Sequence, residues 1–491
     1  MKQHALIIGA GYAGLSSALL LLRDGWEVTV LDNNEGPGGR ARLWSEKGYH
    51  FDMGPSWYLM PEVFDKFFSS IGIATADALT LTKLKTHYKV FFEGHDAVRI
   101  TDDLDATKKL FDTFQPGGGQ LLTDYMTGAQ EKYDIAVGSF LYKEYKSVFD
   151  FFNWQVMTQG LKIGIFQSLD KFVARFFTDR RAKQILEYAM VFLGTSPQDA
   201  PSMYSLMSHV DLKLGVFFPK GGMNGVAVAM ADLVKKRGGV IHYKHDVKHL
   251  RVEGGQVTEV QTEKGTFRGD VVLNTGDYAY GETQLLDPAW QTYKQPYWDS
   301  RVVAPSMFIV YLGVKKALPG LEHHNLYFSA DWNKHFDTIF KTPSWPENPC
   351  YYLSAITKTD TTMAPEGCEN LFLLVPAAPG LSDPEEFRAK YLDGLLAHVE
   401  KTTGESFRDA IEVCRVFSQQ DFARDYHAFQ GTALGLSHTL FQTAVFRPAL
   451  RSKKVKNLYY SGQYTHPGVG VPMTLIASDV VAAKITGARR A

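Results

Sequence analysis

Residues 5–14 read Ala-Leu-Ile-Ile-Gly-Ala-Gly-Tyr-Ala-Gly, an apolar run that breaks into Gly9, Gly11 and Gly14. A strand that turns this sharply into a helix aims backbone N–H groups, and the positive end of the helix dipole, at a pyrophosphate. Gly9 permits the tight turn, Gly11 lets the backbone approach the phosphates without a Cβ, and Gly14 lets the helix pack closely on the strand. The spacing predicts a helix from Leu15 to Arg23 that ends near Gly25. The strand Glu27–Leu31 then delivers Asp32 about 20 residues past the turn, where a ribose 2′-OH is expected. With 43 glycines in 491 residues such a spacing recurs by chance. The order strand, glycine turn, helix, strand and acid is what makes it a dinucleotide site.

A second glycine-rich turn, Gly36-Pro37-Gly38-Gly39-Arg40-Ala41, follows at once. It suits a loop that also touches the pyrophosphate or the flavin of FAD, with Arg40 as a fixed cation. An NAD-only site needs no such second turn, although Pro and Gly are also ordinary turn formers. At the other end of the chain, Val455 to Ser461 reads as an apolar strand. The loop Gly462-Gln463-Tyr464-Thr465-His466-Pro467-Gly468-Val469-Gly470-Val471-Pro472 and a helix from Met473 to Ile485 follow it. A helix N-terminus favours negative charge, so this one points at the flavin's pyrimidine ring. Both chain ends then build one cofactor domain.

Length and charge bound the rest. A chain of 491 residues implies two or three domains or subdomains. Lys+Arg 52 against Asp+Glu 53 gives a net charge of −1, and nothing favours nucleic acid. Cys350, Cys368 and Cys414 lack metal-ligand spacing and fit a reducing cytoplasm. The chain enters its first strand within a few residues of Met1, so a secretory leader is not expected. No run approaches the ~18 apolar residues of a membrane span.

The residues quoted so far, with Phe51-Asp52-Met53-Gly54-Pro55, resemble the bacterial and fungal carotenoid desaturases of the phytoene desaturase type, within the FAD-dependent amine oxidase-like proteins. The segments Phe217-Phe218-Pro219-Lys220-Gly221-Gly222, Ala364-Pro365-Glu366-Gly367 and Gln442-Thr443-Ala444-Val445-Phe446-Arg447-Pro448 are similar to the carotenoid branch in particular. Asp32 stands where that family more often has Glu, and a shorter carboxylate still reaches a ribose. The resemblance implies FAD as the organic redox cofactor, an isoprenoid polyene substrate taken from a membrane, and Val247 against the adenine by backbone contact. The implied class is α/β: a Rossmann-type FAD-binding domain from 1–100, 218–300 and 440–491, a helical membrane-associated subdomain over 101–217, and a mixed-sheet substrate domain over 301–439. The cofactor-binding candidates are Gly9, Gly11, Gly14, Asp32, Gly39, Arg40, Gly54, Val247, Gly462, Gly470, Val471 and Pro472.

Within the middle region, Met223 to Val234 reads as a helix, Gly238 to Tyr243 turns into a strand, and a further strand ends at Val247. Gly255 to Arg268 and Asp270 to Asn274 are expected to return the chain to the dinucleotide sheet. Strands are expected over Ser306 to Gly313, Tyr351 to Ile356 and Leu371 to Val375. Residues 148–157, 165–169 and 172–177 are thick with aromatics, in a chain with 13% aromatic content. Such stripes are usually buried helix faces. The alternative is a lid that dips into a bilayer interface, with Lys143, Lys146, Lys162, Lys171 and Arg175 meeting headgroups. His323 and His324 lack a third metal ligand at suitable spacing and read as an exposed turn.

The expected reaction is dehydrogenation of an unactivated C–C bond beside a conjugated polyene, with hydride passing to FAD. Phytoene or a related C30 or C40 polyene is the expected substrate, and a quinone or oxygen the final acceptor. No catalytic dyad is visible; His466 and Asp150 are the candidates for proton handling. A carotenoid isomerase, saturase or oxygenase, or a non-enzymatic prenyl-lipid escort, uses the same fold. The expected location is cytoplasmic, peripheral on the inner face of the cell membrane.

Overall fold

The computed structural model describes residues 2–143, 164 and 167–487. Its first layer is a five-stranded parallel sheet, in the order Leu458–Tyr460, Val271–Asn274, His4–Ile8, Glu27–Leu31, Val240–His242. A parallel sheet covered on both faces wants continuous apolar strands, and Ala5, Leu6, Ile7, Val28 and Val30 are buried accordingly. The helices Tyr12–Arg23, Gly222–Lys236 and Val471–Thr486 pack on it through Leu15, Leu19, Met223, Val226, Leu475 and Val481. The Ser16 hydroxyl donates to Ser478 Oγ at 2.7 Å, joining the first and last of these helices.

A seven-stranded mixed sheet forms the second layer, in the order Ile411–Phe417, Ser306–Val314, Glu369–Ala377, Tyr351–Ala355, His324–Phe328, Thr86–Phe92, Val98–Thr101. All its pairings are antiparallel except that of His324–Phe328 with Thr86–Phe92. Alternation along Ser306–Val314 sends Phe308, Val310 and Leu312 to the face covered by the helix Glu385–Thr403, through Leu395, Leu396 and Val399. Met307, Ile309 and Tyr311 go to the opposite face, toward the helices Leu104–Phe114 and Gly118–Ile135. Every residue of Ser306–Val314 is buried.

Ser306–Val314, Tyr351–Ala355 and Glu369–Ala377 of this second sheet lie where the sequence places them. Several other expectations are corrected. Thr86–Phe92 and Val98–Thr101, grouped by sequence with the cofactor domain, belong to the second sheet because they pair with its edge. Val247 begins the strand Val247–Glu253 instead of ending one. That strand, Gln256–Thr262 and Gly265–Phe267 form their own antiparallel meander, and Val271–Asn274 alone returns to the parallel sheet. His323 and His324 are not an exposed turn: both are buried, and His324 pairs with Ser354.

Among the described residues, no helix is long and apolar enough to cross a membrane. The described part of the aromatic stripe, Leu169–Val173 and onward, is a buried face, with Leu169, Val173 and Phe177 packed against Phe111 and Tyr125. Residues 144–163, 165 and 166, which carry Asp150, Phe151, Phe152, Trp154, Lys146 and Lys162, lie outside the described residues.

Candidate active site

The two N-terminal glycine turns close on each other. Gly9 sits at φ +102°, a conformation that favours glycine, and its N–H donates to Leu31 O at 2.7 Å. Gly38 N donates to Ala10 O at 2.9 Å, and Gly11 and Gly38 form an isolated parallel bridge. A Cβ on Gly14 would fall inside the Gly9 carbonyl oxygen and lie 3.0 Å from Thr275 Oγ1, so helix-to-strand packing itself demands glycine there. A Cβ on Gly11 would make ordinary contacts, 3.8 Å from Gly38 O and from Gly39 Cα. Nothing in the protein requires glycine at Gly11; its value lies on the open side, at the N-terminus of the helix Tyr12–Arg23.

Asp32 ties the turn to the second strand. Its Oδ2 accepts the Ala10 N–H at 2.6 Å and its Oδ1 the Asn34 N–H at 2.7 Å. Burial raises its carboxyl above the ordinary value, while these backbone donors oppose the shift. Arg40 has Nε and Nη2 buried and without a protein partner, its guanidinium 5.3 Å from the Tyr426 ring centroid. A buried guanidinium with unmet donors is costly unless an anion meets it. Gly54 is needed for packing, since a Cβ there would strike the Arg40 carbonyl.

Residues behind these turns act as braces. Asp52 caps the helix Gly222–Lys236 by accepting the N–H groups of Met223 at 2.7 Å and Asn224 at 2.9 Å. Asn224 Nδ2 in turn donates to Pro37 O at 3.1 Å and Ala41 O at 3.0 Å, holding the Arg40 turn from behind. At the C-terminal end, Arg447 is buried and donates to Gln463 O at 2.9 Å and Leu436 O at 3.3 Å. Burial pulls its guanidinium down to about 10. His438 Nε2 accepts the Val469 N–H at 3.1 Å, and its Nδ1 pairs with Tyr204 Oη at 2.7 Å. Together they shape the loop that leads through Gly470, at φ +122°, into the helix Val471–Thr486 with Pro472 in its first turn. This loop holds the cis peptide His466–Pro467.

These turns line a single cavity of about 910 Å³. Of the candidates read from the sequence, all except Gly14 line it: Gly9, Gly11, Asp32, Gly39, Arg40, Gly54, Val247, Gly462, Gly470, Val471 and Pro472. At one end stand Leu31, Asp32, His245 and Val247; at the other, an apolar chamber of Trp57, Tyr188, Phe192, Ile309, Tyr352 and Leu374. The rim carries Phe441 and Phe446, which are 72% and 42% exposed. His466 lines the cavity with Nε2 3.1 Å from Leu141 O. His324, stacked under Trp57 at 4.2 Å, pairs through Nδ1 with Tyr352 Oη at 2.7 Å, and burial lowers its pKa far below the ordinary value. Among the described residues, no three His, Cys, Asp or Glu side chains are grouped to hold a metal.

Sequence reasoning missed Arg447, His438 and Asn224 as contributors. Arg447 and Asn224 lay inside or beside segments whose order was noticed, but their jobs depend on partners 11 to 187 positions away.

Residues 12–486 match the family described as flavin containing amine oxidoreductase. A carotenoid 3,4-desaturase from Haloarcula japonica is 40% identical over 480 residues, covering 97% of this chain and 97% of that protein. A zeta-carotene-forming phytoene desaturase from Myxococcus xanthus is 31% identical over 491 residues, covering 98% and 94%. A putrescine oxidase with bound putrescine superposes with a TM-score of 0.63 over 99% of this chain and 100% of that chain, at 13% identity, which speaks for the fold alone. The chain belongs to the flavin containing amine oxidoreductase family, in its carotenoid desaturase branch.

Proposed function

We propose that this chain is an FAD-dependent desaturase that introduces C=C bonds into phytoene or a related C30 or C40 polyene. One observation carries the reading: the Arg40 guanidinium, whose Nε and Nη2 lack a protein partner, and an apolar chamber line the same cavity, in a chain that matches carotenoid desaturases over nearly its whole length. The residues present fit FAD. Arg40 and the backbone at Gly9, Gly11 and Gly39 would meet the pyrophosphate, where a Cβ on Gly11 would intrude. Asp32 keeps lone pairs on both oxygens for a ribose hydroxyl. Val247 would face the adenine, Gly54 and Gly462 would border the ring system, and the helix N-terminus at Gly470, Val471 and Pro472 would favour negative charge on its pyrimidine side.

When bound, FAD supplies the two-electron oxidant that accepts hydride from the saturated bond. The chain's own residues orient and exclude. Ile309 and Leu374 from the second sheet, with Phe192 opposite, form walls against which a rod-like hydrocarbon is held by shape. Closing such a chamber against water guards the reacting carbons.

The polyene enters from a bilayer, and the protein sits peripherally on the inner face of the cell membrane, cytoplasmic side. The exposed phenylalanines Phe441 and Phe446 on the cavity rim support this, since aromatic side chains there would rest in the interface. The basic and aromatic-rich sequence of 101–217 supports reading that stretch as a helical membrane-associated subdomain. A quinone or oxygen takes the electrons onward.

The test is to mix the protein with FAD, liposomes and phytoene without oxygen, then follow flavin absorbance and extract the pigments. Flavin bleaching with new long-wavelength polyene bands is the expected result. An unbleached flavin with unchanged phytoene and unchanged later polyenes would overturn the reading.

A further inference from the structure

Dehydrogenation releases a proton as well as a hydride, and the cavity must offer that proton a place. Four aspartates line it among the described residues: Asp32, Asp211, Asp246 and Asp277. Asp32 accepts two backbone N–H groups. Asp246 is paired with Lys248 and His427. Asp277 accepts the Tyr464 hydroxyl and the N–H groups of Tyr280 and Phe429. Asp211 differs. Its Oδ2 accepts the Tyr88 hydroxyl at 2.7 Å and the Tyr188 hydroxyl at 3.0 Å, while Oδ1 is buried without a hydrogen-bond partner. It also lines the cavity, with Met207 and with Tyr188 of the apolar chamber.

We propose that Asp211 is the base that receives the proton lost from the polyene, with Tyr88 and Tyr188 fixing its other oxygen. This rests on the dehydrogenation proposed above. On one carbon of the saturated bond the C–H bond breaks and its electron pair departs with hydrogen to oxidised FAD as hydride. On the neighbouring carbon the C–H bond breaks, its electron pair becomes the second bond of the new C=C, and the proton goes to Asp211 Oδ1. Two electrons leave the substrate in all, and product departure returns the proton to solvent.

Burial pushes the Asp211 carboxyl up to about 7, against the two tyrosine hydrogen bonds that lower it, so a base and its acid are both present near neutral pH. The titratable groups packed around it are Tyr88 on the strand Thr86–Phe92, Tyr188 on the turn Tyr188–Leu193, and His87. Burial raises both tyrosines well above their ordinary value and lowers His87 to about 4. None of these three titrates near 7.

The experiment compares wild type with Asp211→Asn, Asp211→Glu and Tyr88→Phe. Anaerobic flavin reduction by liposomal phytoene is expected to fall ~10²–10⁴-fold in Asp211→Asn, the range of a lost general base. Phytoene binding, read by protein fluorescence quenching, should stay within about twofold of wild type by the same argument that a proton acceptor adds little ground-state affinity. Asp211→Glu should recover part of the rate. Independently of turnover, the protonated-carboxyl stretch in infrared difference spectra of FAD-free protein should contain a component titrating near pH 7 that is missing in Asp211→Asn, while the components of the other buried carboxyls, Asp52 and Glu187, remain. Should that variant fail to fold, Tyr88→Phe decides, because losing a hydrogen bond to the ionised form moves the rate profile to higher pH. An Asp211→Asn variant with wild-type rate, equal losses of rate and binding, or an unshifted Tyr88→Phe profile would overturn the assignment alone. Wild-type protein that leaves every polyene unchanged fails the dehydrogenation and this inference with it.

Discussion

Asp52 accepts the backbone N–H of Asn224 at 2.9 Å, so a carboxylate from the first fifty-odd residues caps a helix that starts more than 160 positions later. Asn224 then carries the Pro37 and Ala41 carbonyls that shape the Arg40 turn. Asp52→Ala would strip the helix cap and leave two buried N–H groups without an acceptor. We expect a loss of roughly 2–4 kcal/mol from the lost cap and orphaned donors. Thermal unfolding of FAD-free protein measures it; a midpoint unchanged from wild type would contradict the bracing role.

Gly11 and Gly14 should respond differently to a side chain. Gly14→Ala drives a Cβ into the Gly9 carbonyl, backbone against backbone, and should lower both folding yield and FAD content. Gly11 sits at φ −75° and ψ −177° and a Cβ there makes only ordinary contacts, so Gly11→Val should keep the fold far better than Gly14→Ala and lose flavin. Absorbance of bound flavin per chain, beside a wild-type-like far-ultraviolet spectrum, separates the two. Full flavin content in Gly11→Val would remove Gly11 from the cofactor site.

Removing the Arg40 charge tests the anion site directly. Arg40→Met keeps an unbranched apolar side chain but takes away the guanidinium over Tyr426 and its unpartnered donors. A charge-assisted hydrogen bond contributes about 1.5–3 kcal/mol, so FAD affinity should weaken roughly 10- to 150-fold. The FAD-free protein should change little in stability, because the loss of the two unmet donors is offset by the loss of a charge that favours ionised Asp277. Titration calorimetry with FAD reads the first effect and thermal unfolding the second.

Much of the cofactor half was legible because its signals are local. Gly9, Gly11, Gly14 and Asp32 fall within one strand, turn, helix and strand, whose geometry follows from chain order. The second sheet was half legible: Ser306–Val314 shows an unbroken apolar run, whereas Thr86–Phe92 mixes Lys89 and His87 into its pattern and gave no sign of pairing with His324–Phe328. His323 and His324 misled because two adjacent histidines look solvated, yet Thr359 and Tyr352 supply hydrogen-bond partners inside the fold. Asp211 was invisible for the same reason in reverse, since its meaning comes from Tyr88 and Tyr188, 123 and 23 positions away.

Arg447 supports the C-terminal loop from inside. Arg447→Met leaves the Gln463 and Leu436 carbonyls buried without a donor, at about 1–3 kcal/mol each. Arg447→Lys does not rescue it, because one ammonium cannot reproduce the planar fork that reaches both. Both variants should lose thermal stability and bind FAD more weakly, the loop leading straight into the helix at Val471. A variant with wild-type unfolding and FAD affinity would show that the loop holds itself.

Glu187 gives a pH dependence whose direction is fixed by its environment. Burial pushes its carboxyl up to about 8 from the ordinary 4.5, and Trp332 Nε1 donates to its Oε2 at 3.2 Å. The folded chain therefore holds a proton that the unfolded chain releases. The stability this group contributes is fully present below about pH 4.5 and is lost as pH rises to about 8, at a slope of up to about 1.4 kcal/mol per pH unit. Glu187→Gln keeps the shape and cannot ionise. Wild type and variant should unfold at similar temperatures near pH 4.5, and the variant should become the more stable by a few kcal/mol as pH approaches 8. Parallel unfolding curves across that range would mean that Glu187 is ionised in the folded protein and that an unseen cation compensates it.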